Sequence, residues 1–117
     1  MTRARRAGRP GPAPLRDEEY PCGLPNLSET NHKKLEEGNH FAAISALGLE
    51  VGALGGAFGV LENPWRSFLW RQPRVERTLE NLRFKDVILD FCQYGTAWQK
   101  RTRLRGDLPG LERLQRL

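Results

Sequence analysis

The sequence predicts a single α/β layer structure, with helices packed on a small parallel sheet. Three observations carry that expectation. Phe41, Ile44, Leu47, Val51 and Leu54 recur at three- and four-residue steps, the spacing of an amphipathic helix. Asp86 to Cys92 alternates Val87, Leu89 and Phe91 against Ile88 and the two aspartates, as a strand does. Phe58-Gly59-Val60-Leu61 reads as a short buried strand, and helix, strand, helix and strand in succession imply layers with parallel neighbours. A chain of 117 residues suits one small domain or part of one.

Residues 1–27 carry Arg, Gly and Pro with few aliphatics, so they are expected to form a disordered basic loop or tail rather than a packed segment. Residues 28–106 hold the ordered part. Ser28 can cap a helix running from about Glu29 to about Leu54, and the glycines from Gly48 to Gly59 weaken its end. The strand that follows ends at Glu62-Asn63-Pro64, because proline donates nothing to a ladder. Trp65 to Trp70 makes a short helix, and Val75, Leu79 and Leu82 space another that stops before Arg83. Residues 107–117 form a terminal helix or tail, with Leu108 to Leu117 weakly amphipathic.

A net charge of +5 favours polyanionic partners, because Lys and Arg neutralise phosphates and release counterions. Nucleic acid is the expected class, and Arg3, Arg5 and Arg6 form one basic cluster while Lys100, Arg101, Arg103 and Arg105 form another. A solvated surface is the alternative reading of either cluster. Cys22 and Cys92 are too distant to form a metal knuckle and make no disulfide framework, which favours a reducing, intracellular compartment. No apolar segment follows the basic N-terminus, so secretion is not expected. Phe41 to Leu61 carries Glu50 as its sole charge and could be read as a membrane span, but its Gly and Ala content and the cost of a central carboxylate argue against it. No metal motif is present; His32 and His40, eight apart, read as surface residues.

Three features could carry chemistry. Glu62 at a strand end could act as a general acid, since ligand crevices of open α/β sheets lie beyond the carboxyl ends of strands; a turn with a capping Asn63 is the alternative. Arg101 and Arg103, two apart, point the same way in an extended segment and could clamp one ligand; a basic surface loop is the alternative. Trp65, Phe68, Leu69 and Trp70 could stack exposed bases or pack a core.

In order and context, Glu62-Asn63 and Gln99-Lys100-Arg101-Thr102-Arg103, the latter after Tyr94-Gly95, resemble the C5-cytosine DNA methyltransferase family. Leu61 to Trp70 and Phe91 to Leu104 look most like a divergent phage and mobile-element branch, with Glu-Asn-Pro and Cys-Gln-Tyr-Gly motifs; Thr2 to Arg6 and Pro14-Leu15-Arg16 fall in that branch's order. The resemblance implies a partial Rossmann-like methyltransferase sheet. By it, Glu62 would protonate or hydrogen-bond cytosine N3, Asn63 would help to hold the loop, and Arg101 and Arg103 would brace Glu62 and contact the flipped base or a nearby phosphate. Lys100, Arg105, Arg3, Arg5 and Arg6 would contact nucleic acid.

The same alignment puts the nucleophilic cysteine, and the glycine-rich turn that binds S-adenosylmethionine, before Met1. Cys22 lies beyond the Pro-Leu-Arg segment and is not expected to replace the nucleophile, and Cys92 is expected to be a packed thiol. The reading is therefore a truncated methyltransferase-like domain, inactive alone, that binds no cofactor unless completed upstream. A small basic nucleic-acid-binding or interaction module without catalysis is the alternative. DNA is the expected partner, with no metal and no membrane; the oligomeric state is left open.

Overall fold

The computed structural model describes residues 13–116. Two α-helices, three strands and three short 3-10 turns make a mixed α/β fold. Helix α1 spans Glu29–Leu54; Ser28 Oγ accepts from the Asn31 backbone N–H, satisfying one of the donors that a helix start leaves over. Strand β1 is Val60–Pro64, α2 is Pro73–Asn81, β2 is Lys85–Asp90 and β3 is Arg101–Gly106.

The sheet order is β1-β3-β2, and both pairings are antiparallel. Parallel neighbours are thus not found: β1 and β2 point the same way, but β3 runs against both between them. The short link from Phe91 to Lys100 explains it, since antiparallel strands can be joined by a tight connection while parallel ones need a crossover of a dozen or more residues. Glu62, Asn63 and Pro64 lie within β1 rather than past its end. Pro64 is tolerated there because β1 is an edge strand. Where β1 meets β3, only glycine fits at 106: a Cβ would stand 2.6 Å from the Gly59 carbonyl oxygen. That crossing is held by Gly59 N–H on Asp107 Oδ1 at 2.8 Å and Asp107 N–H on Gly59 O at 3.1 Å.

Helix α1 has the expected bounds but turns the other way. Its core face is Ala42, Ala46 and the partly buried Leu49, packed with Leu69, Trp70, Val75, Leu79 and Phe84. Phe41, Ile44, Leu47, Val51 and Leu54, the spaced stripe, are exposed. Small side chains win the inner face because they let α1 lie close to α2. The helices are further tied by Arg74, which donates to both Glu50 oxygens at 2.5 and 2.9 Å, while Thr78 Oγ1 donates to Glu50 Oε1 at 2.7 Å.

These hydrogen bonds, from Arg74 first and Thr78 second, hold the Glu50 carboxyl at about 2, against its ordinary 4.5. A depressed carboxyl adds stability above the unfolded-state value, and that stability is lost as pH falls through the folded one. Glu50→Gln is therefore expected to be less stable than the parent at neutral pH, with the gap closing between about 4.5 and about 2. Urea midpoints measured across that range check it; a gap that stays constant with pH rules it out.

The remaining elements differ modestly from expectation. The helix expected over Trp65 to Trp70 is a 3-10 turn, Phe68–Arg71, started by Ser67 Oγ accepting from Leu69 N–H. Strand β2 stops at Asp90, and Phe91–Tyr94 forms a second 3-10 turn, so Cys92 stands on it exposed rather than packed. The terminal helix reduces to a 3-10 turn at Leu111–Leu114, followed by a single parallel bridge from Arg116 to Leu89. Ala13 to Leu27, expected as a loose tail, are tied down. Arg16 donates to Asn39 Oδ1 at 2.7 Å and to the Leu35 and Pro21 carbonyls, and Gln72 Nε2 donates to the Pro21 carbonyl at 2.6 Å. Burial holds the Arg16 guanidinium below its usual value. No helix of the described residues is long and apolar enough to cross a membrane.

Candidate functional site

Side chains alternate across a strand, and residues facing each other in register share a face. Arg103 faces Asn63 on one side and Ile88 on the other, while Glu62 faces Leu104. Glu62 therefore stands on the opposite sheet face from Arg101 and Arg103. The sheet does not bring the expected acid to the expected guanidiniums; Asn63 alone shares their face. The physical cause is the one-residue offset, since moving by one position in a strand reverses the face.

Arg101 and Arg103 are each taken by an aspartate of β2. Arg101 Nε and Nη2 donate to Asp90 at 2.9 and 2.8 Å, and Gln99 Nε2 adds a bond at 3.2 Å. Arg103 donates twice to Asp86, both at 2.7 Å. These forks are the strong form of guanidinium–carboxylate contact. Arg101 holds the buried Asp90 carboxyl below the usual range. Arg103 is also flanked by indoles, its guanidinium carbon 5.3 Å from the Trp70 ring and 5.9 Å from the Trp65 ring. The expected ligand clamp is thus a set of cross-strand ion pairs that fasten β3 to β2. Arg105 is half-buried, and its Nε finds no partner among the described residues.

The aromatic cluster divides. Phe68, Leu69 and Trp70 are buried, with Trp70 Nε1 donating to the Pro64 carbonyl at 2.9 Å, so they pack a core; Trp65 remains partly open. The turn after β1 is closed by that indole and the turn after β2 carries Phe91–Tyr94, so neither forms a glycine-rich cradle fitted to S-adenosylmethionine. Among the described residues no group of three His, Cys, Asp or Glu could hold a metal ion. His32 and His40 are exposed, and His32 stands 3.0 Å from Glu36 one turn on.

An open aromatic and basic surface lies instead on the link from β2 to β3. The link is closed by Phe91 N–H on the Lys100 carbonyl at 3.2 Å, and Thr96 Oγ1 donates to the Trp98 carbonyl at 2.9 Å. Trp98 is 63% exposed and Tyr94 42%. Lys100 Nζ stands 5.2 Å from the Phe91 ring centre. Arg116 lies 4.8 Å from the Tyr94 ring, and the Tyr94 hydroxyl donates to the Leu114 carbonyl. The C-terminal segment is held beside this link by Asp90 N–H on the Arg116 carbonyl at 2.7 Å.

No family model, curated protein or solved structure matches the chain.

The expected contacts Arg3, Arg5 and Arg6 lie outside the described residues. Trp98 and Arg116 were not singled out by sequence reasoning. The signal for Trp98 was a large aromatic in a short polar stretch that follows the turn glycine Gly95 and precedes the basic run from Lys100. Arg116 had no local signal, because its place depends on the C-terminal segment returning to β2.

Proposed function

We propose that the chain is a non-catalytic, nucleic-acid-binding piece of a methyltransferase-like α/β domain. The observation that carries this reading is the link between β2 and β3, where exposed Trp98 and Tyr94 accompany Lys100 and Arg116. Aromatic faces stack on unpaired bases without regard to sequence, and neighbouring cations neutralise the backbone. Separation of Glu62 from the guanidiniums supports the absence of catalysis. Strands β1 and β2, running the same way with α2 between them, support a Rossmann-like parent sheet into which β3 is inserted in reverse.

The test is a titration with a single-stranded DNA oligonucleotide at several salt concentrations. Trp98→Ala is expected to weaken binding by about fivefold to a hundredfold, since a base stacked on an aromatic is worth ~1–3 kcal/mol. Replacing Lys100 is expected to lower the salt slope by about one. Unchanged affinity in Trp98→Ala would sink the binding reading. Methyl transfer from S-adenosylmethionine by the unaided chain would sink its non-catalytic part.

A further inference from the structure

The exposed stripe of α1 has an order of its own. Phe41 and Leu54 stand at equal distances on either side of the Leu47–Gly48 bond, and so do Ile44 and Val51. On the flanks of the stripe the small residues Ala43 and Gly52 are placed with the same symmetry. At 3.6 residues per turn this face lies opposite the core face of Ala42, Ala46 and Leu49. Leu54 is 90% exposed, Phe41 66% and Val51 59%.

We propose that α1 pairs antiparallel with α1 of a second copy of this chain, about a two-fold axis at the Leu47–Gly48 bond. A two-fold interface must be self-complementary: if one residue meets a second across the axis, the second must meet the first. A stripe that reads the same from both ends meets that condition in an antiparallel helix pair. It sets Phe41 beside the partner's Leu54, Ile44 beside the partner's Val51, and Leu47 over the partner's Gly48. Glycine at 48 has no explanation within the chain, for an added Cβ would meet nothing within 4 Å and its φ is not positive. Gly is poorly suited to a helix interior, and close approach of a second backbone is what it permits.

The extent of the face agrees. Phe41 to Leu54 covers ~20 Å of helix. The five open apolar side chains of the stripe offer on the order of 550 Å² per copy, near the lower end, ~600 Å² per partner, of a specific interface.

Sedimentation equilibrium of the full chain at micromolar concentration tests the pairing. A species of twice the 13.4 kDa chain mass is expected. Leu47→Glu and Val51→Glu should each weaken association by about a hundredfold or more, because a carboxylate would be buried unpaired in an apolar seam. Their circular dichroism should remain that of the parent, since both positions are exposed in the single chain. Gly48→Ala should weaken association while leaving the helix at least as stable. With Cys22 and Cys92 changed to serine, Ile44→Cys together with Val51→Cys should oxidise to a covalent dimer, and Phe41→Cys alone should not. A monomer, a dimer unaffected by Leu47→Glu, cross-linking through Phe41→Cys alone, or a monomer that floats with lipid vesicles would each overturn the proposal.

Discussion

Ala46→Asp is expected to leave the chain unfolded at room temperature. Ala46 is 0% exposed, on the face of α1 that meets the apolar side chains of Leu69, Trp70, Val75, Leu79 and Phe84, and the Arg74 guanidinium one turn on is already held by Glu50. An uncompensated buried charge costs ~3–5 kcal/mol or forces protonation, and small domains have ~5–15 kcal/mol in all. The adjacent Leu47→Glu, a change of similar polarity, should leave the fold intact, because Leu47 is 53% exposed. Circular dichroism of the two variants side by side decides which face of α1 is the core. If Leu47→Glu unfolds the chain and Ala46→Asp does not, the orientation described above is wrong.

Trp70→Ala is expected to cost ~3–5 kcal/mol, the range for deleting a large buried aromatic. Its ring is 7% exposed within the main core cluster, and its indole N–H fixes the turn that follows β1. The same ring supports the Arg103 guanidinium, so its loss also leaves that side chain with the Asp86 fork and the Trp65 ring. Trp70→Phe keeps most of the packing and gives up one hydrogen bond, worth ~1 kcal/mol. Since Pro64 O also accepts from Ser67 N–H, that carbonyl is not left bare. Urea unfolding followed by circular dichroism measures both. Near-equal losses for Ala and Phe would place the energy in the hydrogen bond and contradict a packing role.

The sequence was legible where the signal is local. Ser28 before a run of helix formers marked the start of α1, and alternation within Asp86 to Leu89 marked β2. Which face of α1 is buried was not legible, because periodicity finds both of its apolar faces and burial depends on how close α2 approaches. The larger side chains drew the expectation to the wrong one. Strand β3 was missed as a strand because arginine suggested a loop. Yet Arg101, Arg103 and Arg105 alternate with Thr102, Leu104 and Gly106, and β2 offers Asp86 and Asp90 at matching spacing. Opposite charges facing each other across a ladder were the signal to use. The separation of Glu62 from Arg103 turns on one position of register, which no single-strand pattern contains.

Strand order also bears on the sequence of events by which the chain assembles. Asp90 and Arg101 are 11 positions apart, so β2 and β3 close on each other as neighbours, whereas Pro64 must find Thr102 across 38. Loop closure grows as the logarithm of length, which makes the second search dearer by about 1 kcal/mol of chain entropy. The β2–β3 hairpin is the nucleus this topology favours, and β1 is a late arrival that rewards ordering only once α2 has folded the intervening chain into a shorter path. The edge that β1 covers on β3 is accordingly the last to be protected during assembly and the first to be offered to another strand when the domain opens.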